Sequence, residues 1–233
     1  MKKIIQKLYH NEIISRVLHT LVYNLQKELE DCETVLDLGC GPDSPLQYCK
    51  NIRRSVGVEA FAPYLEKSKK KNIHGEYLDK KIEDLEFPEN SFDAVIMIEV
   101  LEHLPEKVGV EILKKTEKWA RKKVIVSSPN GFVAQKAVDN NPLQRHLSGW
   151  DYDKMKKLGY HSHGLAGLKF LRQEVQGDTM GDDLMTSIRF WPKPFWFIVA
   201  AISQIFVYFI PLVAFELFCI KSKSRIDKGR SCF

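Results

Sequence analysis

An apolar strand that runs directly into two glycines constrains this chain more than any other feature: Val35-Leu36-Asp37-Leu38-Gly39-Cys40-Gly41-Pro42. In an open parallel sheet, ligands bind beyond the carboxyl ends of the strands, and glycines there let backbone amides approach a ligand closely. Ser44 suits a helix N-cap and Pro45 the first helical turn, so the loop is predicted to feed a helix over 44–51. Further short, β-rich apolar runs at 55–58, 92–98 and 123–127 alternate with helical patterns at 61–71 and 106–121. That alternation predicts a parallel sheet covered by helices on both faces. A polar, irregular stretch follows at 129–149. A helix over 150–158 is then stopped by Gly159, and a sixth strand lies near 160–166.

The first thirty residues read differently. Ile4, Ile5, Leu8, Ile13, Ile14, Val17, Leu18, Leu21, Val22, Leu25 and Leu29 recur at three- and four-residue steps, the spacing of one or two amphipathic helices. With 233 residues, 44% hydrophobic and 28% charged, the chain fits one α/β domain with an attachment and excludes a disordered or fibrous protein. The net charge of +5 rests on dispersed runs such as Lys69-Lys70-Lys71. Such runs are ordinarily solvated faces rather than a nucleic-acid stripe, which needs interleaved aromatics. Cys32, Cys40, Cys49, Cys219 and Cys232 show no zinc or redox spacing, and polar residues interrupt any leader-like stretch at the N-terminus. A cytoplasmic protein with reduced thiols is expected.

The second strand ends in Val56-Gly57-Val58-Glu59, which places a carboxylate where it can accept the hydroxyl protons of an adenosine ribose. A dinucleotide fold wants the same acid. Two features separate the alternatives: Ser44 stands where a third glycine would complete the dinucleotide pattern, and Asp37 precedes the first glycine. An acid there suits the cationic methionine end of S-adenosylmethionine and would repel a pyrophosphate. A nicotinamide-dependent oxidoreductase is the rival on these residues.

Six segments together resemble the class I S-adenosylmethionine-dependent methyltransferase superfamily, in its type 11/23-like branch. They are Leu36-Asp-Leu-Gly-Cys-Gly, Val56-Gly-Val-Glu, Ile82-Glu-Asp-Leu, Ser91-Phe-Asp-Ala-Val-Ile, Glu99-Val-Leu-Glu-His-Leu and Ser128-Pro-Asn-Gly. The resemblance implies a Rossmann-like, seven-stranded, mostly parallel sheet with helices on both faces and a final antiparallel strand. It implies that Asp37, Gly39, Cys40 and Gly41 hold the methionine moiety and that Glu59 holds the ribose. Ile82 and Glu83 border the adenine, and Glu99 closes the cofactor site. Many relatives carry an acid just before the Ile82 position; this chain has Lys81, with Asp79 and Asp84 as substitutes.

Glu99, Glu102 and His103 follow the fourth strand, and a helical turn starting there would put them on one face. Residues of this kind often merely brace a helix or wall a pocket. The Glu-x-x-Glu-His pattern is nonetheless similar to that of quinone-biosynthesis O-methyltransferases and RNA 3′-terminal 2′-O-methyltransferases, which carry a later histidine before an aromatic-centred helix. Here that element is Arg145-His146-Leu147-Ser148-Gly149-Trp150. The similarity implies His103, His146 and Glu102 as catalytic residues, and Glu99, Glu102, His103 and His146 as ligands for Mg²⁺ or Mn²⁺. His161 and His163 read as surface or packing residues. The expected reaction is O-methylation of a hydroxylated small molecule, glycan or lipid-like acceptor; an RNA methyltransferase and a non-catalytic S-adenosylmethionine-binding protein are the alternatives.

Residues 195–215 are apolar enough to raise a membrane span, but Pro211 divides the run and Ser203 and Gln204 interrupt it. A last helix and last strand over 195–220 use the segment without a membrane. Phe190, Trp191, Phe195, Trp196 and Phe197 beside Lys193 also suit a membrane interface, so peripheral contact through 190–215 is the alternative to a soluble protein. The domain plan is a helical extension over 1–30 and a methyltransferase domain over 31–233, with 129–194 as a substrate lid that includes Gly164-Leu-Ala-Gly167.

Overall fold

In the computed structural model, which describes residues 11–173, 185 and 187–223, seven strands form one sheet in the order β3-β2-β1-β4-β5-β7-β6. The strands are β1 (Thr34–Leu38), β2 (Arg54–Val58), β3 (Glu76–Leu78), β4 (Phe92–Ile98), β5 (Ala120–Pro129), β6 (His161–Leu168) and β7 (Ala214–Ser222). β1 to β5 pair in parallel, and β7 is inserted antiparallel between β5 and β6. The expected sheet is present. β3, short and half exposed, lacks the apolar run that would have located it in the sequence.

The central strands are buried on both faces, and alternate side chains serve two cores. Leu36, Leu38, Val95, Met97, Val124, Val126, Leu217 and Cys219 pack with Ile112 and Leu113 of α4 (Glu106–Trp119) and with Trp150. On the other face Val35, Ala94, Ile96, Ile125, Phe218 and Ile220 pack with Leu25 and Leu29. The N-terminal periodicity resolves into α1 (Glu12–Val17) and α2 (Leu21–Glu28), each capped by the side chain before it, Asn11 and Thr20. α3 (Ala62–Lys71) follows β2 as expected. The predicted helix over 44–51 is only a 3-10 turn, Pro45–Tyr48, capped by Ser44. The predicted 150–158 helix shortens to α5 (Tyr152–Lys157), because Trp150 is used as a wholly buried anchor and Asp151 caps the helix.

The 195–215 segment divides as its proline suggested, into α6 (Lys193–Val207) and, after a 3-10 turn at Pro211–Val213, β7. Among the described residues no helix is long and apolar enough to cross a membrane. The stretch Gly164-Leu-Ala-Gly167 is not lid but β6, and its glycines have a packing role. A Cβ on Gly164 would lie 2.2 Å from the Val207 carbonyl oxygen, and one on Gly167 would lie 2.3 Å from that of Ala200. The backbone of α6 therefore rests directly on the strand. Gln204 spans the contact, donating to Gly164 O at 3.0 Å and accepting from Gly167 N at 2.8 Å. Cys32, Cys40, Cys49 and Cys219 are free thiols; Cys232 lies outside the described residues.

Trp150 joins the polar 129–149 segment to the body. Its indole donates to Leu101 O at 3.1 Å and Ser148 Oγ at 2.8 Å, and its ring lies over Gly109 of α4. Replacing a mid-helix glycine by alanine ordinarily stabilises by about 1 kcal/mol. At Gly109 the new Cβ would stand 2.5 Å from Trp150 Cζ2, and overpacking of this kind costs about 1–3 kcal/mol. Gly109→Ala is expected to lower stability in urea denaturation; a more stable variant would contradict this packing.

Candidate active site

The strand order reverses between β1 and β4, and a cavity of about 370 Å³ opens there at the carboxyl edge. This is the size of a small-molecule site and the location that an open α/β sheet favours. Its walls come from the β1 loop (Gly39–Pro45), the end of β2 (Val58–Ala60), the segment Lys80–Glu83, the β4 exit (Ile98–Val100), His103, and Asn141, Leu143, Gln144 and Leu147. The 129–149 stretch thus covers one side of the cavity.

Gly39 has φ +68°, and a Cβ there would meet Val100 Cγ2 at 2.6 Å, so only glycine lets the β1 loop pass under the β4 exit. Gly41 also has positive φ, and its N–H reaches Glu59 Oε2 at 3.1 Å. Glu59 accepts a second backbone N–H, that of Phe61, at 2.8 Å. Burial raises its carboxyl above the ordinary range, while these amide hydrogen bonds work to lower it. The pair of amide bonds orients both oxygens of Glu59 at the cavity wall.

Asp37 does not line the cavity. It lies buried beneath the loop, where its Oδ2 accepts from Ser44 Oγ at 2.5 Å and from His74 Nε2 at 2.9 Å. A carboxylate only accepts, so Nε2 is the protonated ring nitrogen here. His74 Nδ1 is buried without a hydrogen-bond partner and sits where a side chain on Gly57 would go, 2.8 Å from an added Cβ. Reasoning from sequence missed His74. The available signal was Gly57 inside a strand, which marks a close approach. At the other end Ile82 and Glu83 border the cavity with Lys80 and Lys81, whereas the proposed substitutes Asp79 and Asp84 are exposed and stand outside it.

The β4 exit departs from expectation. Glu99 is not in a helical turn: it takes the left-handed conformation, φ +55°, and so reverses the chain at the strand end. Such strain in a non-glycine residue persists only where neighbours enforce it. The Glu99 N–H donates to Ser127 O at 2.9 Å, and Ser127 Oγ donates to Glu99 Oε1 at 2.6 Å. The 3-10 turn Leu101–His103 follows. Glu102, His103 and His146 bring ligand atoms within 4.8 Å of one another, a group that does not include Glu99. Of the four residues expected from sequence as ligands, three converge, while Glu99 pairs with Ser127 and lies against Glu102.

His146 reaches this group because the backbone N–H groups of Leu147 and Ser148 donate to Glu102 O, at 2.8 and 3.1 Å. Each imidazole is fixed by a carbonyl, His103 Nδ1 by Arg145 O at 3.2 Å and His146 Nδ1 by Val133 O at 2.6 Å. Carbonyls only accept, so both Nδ1 atoms are donors and both Nε2 atoms of the neutral rings keep a lone pair. Glu102 is 2% exposed, and neither carboxyl oxygen has a hydrogen-bond partner of ordinary geometry. Burial lifts it to about 8 and pushes His103 down to about 4, with His146 adding to the latter. Burial also lowers His146, and burial together with neighbouring Glu102 raises Glu99 well above its ordinary range. Glu216 of β7, unforeseen from sequence, is raised to about 8 by burial and by Glu99. His161 and His163 lie on β6, and His163 stacks on Tyr208, in keeping with a packing role.

A glycine loop under a β4 corner, an acid at the end of β2 and a cavity at the switch point define the class I methyltransferase fold. Residues 36–127 match the family described as methyltransferase domain, which covers β1 through most of β5. Residues 36–127 thus carry a methyltransferase domain, set in the class I methyltransferase fold. Among solved structures it is similar to a SAM-dependent methyltransferase from Archaeoglobus fulgidus, at 15% identity and TM-score 0.52, over 91% of this chain and 98% of that one. It is similar to the plantazolicin methyltransferase in complex with SAH, at 13% identity and TM-score 0.51, over 96% and 90%. It also resembles the methyltransferase domain of bacterial CtHen1, at 16% identity and TM-score 0.50, over 87% and 97%. At these identities the likenesses carry the fold. No curated protein sequence matches the chain.

Two substitutions test the cofactor end. Gly39→Ala inserts a Cβ into Val100, and His74→Leu leaves Asp37 with Ser44 alone. Loss of one buried polar partner costs about 1–3 kcal/mol, so each variant is expected to weaken S-adenosylmethionine binding about ten-fold or more in calorimetry. Wild-type affinity in His74→Leu would show that Asp37 does not depend on it.

Proposed function

We propose that the chain transfers the methyl group to the oxygen of a hydroxylated acceptor bound over Glu102, His103 and His146. The observation that carries this reading is the convergence of the buried Glu102 carboxyl, which lies against Glu99, with two imidazoles that each keep a free Nε2. A sulfonium methyl is already activated, so the protein must align a nucleophile in line with it and, for a hydroxyl, accept a proton. The free Nε2 lone pairs of the two imidazoles answer that second need, which a neutral amine would pose only after transfer. His103 lines the cavity beside Glu99 and Val100 and therefore borders the reacting methyl, while His146 stands behind it, ring centroids 4.8 Å apart.

The same three residues fit a divalent cation, because a buried carboxyl meets two histidines whose Nε2 lone pairs are held in place by the carbonyls of Arg145 and Val133. Mg²⁺ or Mn²⁺ held there would lower the pKa of a coordinated hydroxyl. Asn141, Leu143, Gln144 and Leu147 on the covering segment would contact the acceptor. Small hydroxylated metabolites, glycans and lipid-like molecules all satisfy this chemistry. The lipid-like class gains support from the apolar turn Phe209–Val213, which Asn130 ties to the same edge of the sheet.

Glu102→Gln and His146→Ala are expected to keep S-adenosylmethionine binding near wild type and to lower turnover about 10²–10⁴-fold, measured as S-adenosylhomocysteine release against panels of catechols, sugars, lipids and RNA. Turnover that survives both changes would remove these residues from the chemistry. Chelation followed by Mg²⁺ or Mn²⁺ addition is expected to abolish and restore activity; indifference to the chelator would leave the histidines acting directly on the hydroxyl.

A further inference from the structure

The polarity of α6 is inverted relative to an ordinary surface helix. Its polar residues point inward: Gln204 bonds Gly164 and Gly167 of β6, Ser203 Oγ accepts from Leu168 N at 3.0 Å, and both side chains are buried. The outward face carries Phe195, Ile198, Ile202 and Phe206, spaced by three and four residues and each 53–66% exposed. A surface helix ordinarily shows the opposite arrangement.

The exposed apolar face extends past the helix. Phe209, Ile210, Leu212 and Val213 follow it, and Trp191, the most open at 84%, precedes it. α1 adjoins the same side, since Leu18 lies in a cleft with Phe197 and Ala201, and the His19 ring stacks on Tyr208 at 4.0 Å. Its Ile13 and Val17, one helical turn apart, are also exposed. Monomeric proteins rarely leave so large an apolar surface in water.

We infer that this composite face of α1, α6 and the Phe209–Val213 turn docks on an anionic lipid bilayer. Charge and residue type select this occupant. From Arg189 to Phe215 the sequence contains Arg189 and no acid, and α1 sets Arg16 against Glu12. The ten residues leading into α1 carry Lys2, Lys3 and Lys7 and no acid. Tryptophan, phenylalanine and lysine together are the composition of an interfacial anchor, and an apolar face combined with cations supplies the two signals that stable peripheral attachment requires. α6 is 15 residues long, suited to lying in the interface.

The docked face adjoins the acceptor side of the site. Asn130, directly after β5, donates through Nδ2 to the carbonyls of Pro211, Leu212 and Ala214, each at 3.0–3.1 Å. Ser127 of the same strand holds Glu99. The bilayer-facing turn is thereby fixed at the carboxyl edge, where a membrane-borne acceptor would meet Glu102 and the histidines. That last step rests on the proposed acceptor site; the docking itself does not.

The test is sedimentation of the full chain with phosphatidylcholine–phosphatidylglycerol vesicles, compared with pure phosphatidylcholine. The wild-type chain is expected to bind the anionic vesicles, with a blue shift of tryptophan emission, and to bind less at high salt. Exchange of Ile198, Ile202 and Phe206 for glutamine is expected to weaken binding about a hundred-fold while leaving S-adenosylmethionine affinity unchanged. Should the triple variant misfold, Arg189→Gln with Lys193→Gln, expected to weaken binding to anionic vesicles alone, provides the second arm. The inference is overturned if the wild-type chain stays in the supernatant with every vesicle. It is equally overturned if the variants bind as wild type, or if the face proves to seat a second copy, seen as a dimer that the triple variant dissolves and vesicles do not capture. Because binding is read without turnover, its failure leaves the assignment of Glu102 and the histidines intact.

Discussion

The close passage of Gly39 beneath Val100 is the constraint on which the site depends. β1 and β4 are neighbours in the sheet but belong to opposite windings, so their exits diverge and leave a cavity. Only a residue without a Cβ lets the two exits touch at its floor. Through that contact the β1 loop is keyed to the β4 exit, where the left-handed corner at Glu99 leads into the turn that carries Glu102 and His103. The glycine loop and the proposed acceptor residues therefore share one edge of the sheet.

Support for the site extends outward in layers of polar contact. Beneath the loop, Asp37 is held by Ser44 and His74; behind the β4 corner, Ser127 holds Glu99; beyond that, Asn130 ties the end of β5 to the turn before β7. All of these groups but the half-buried Glu99 are buried, and a buried polar group is costly unless paired. Near the site, His74 Nδ1 and Glu102 stand apart from this pattern. His74 Nδ1 lies against strand β2 and has a packing explanation in Gly57, whereas Glu102 stands beside two free imidazole nitrogens, the arrangement on which the proposed acceptor chemistry rests.

The tail illustrates how one pattern can serve two solvents. Ser203 and Gln204 read in the sequence as polar interruptions that argue against a span, and they do mark the face that the sheet covers. The apolar remainder of α6 is therefore the face left open. Gly164 and Gly167, placed by sequence in the lid region, bring the helix axis down onto β6 and fix which side of α6 is which.

Local pattern determined most of the fold. The runs at β1, β2, β4 and β5, the glycine loop, the acid at Glu59 and the division at Pro211 were legible because they depend on period, turn chemistry and residue type along the chain; the antiparallel setting of the last strand came from the family resemblance. β3 and the short 3-10 turns were not, being too brief to carry a period. The site was legible in its residues but not in its partnerships. His146 meets Glu102 only because Trp150 and the Glu102 carbonyl draw in the 146–148 backbone, Glu99 leaves the group for Ser127, and His74 reaches Asp37 across the gap at Gly57. Sequence alone determined that the first strand would end in a glycine loop at the carboxyl edge of a parallel sheet, because that depends on residue type and spacing along the chain. Which acids and histidines meet was decided by tertiary structure, since residues far apart in the chain become neighbours only when the sheet closes and its buried polar groups choose partners.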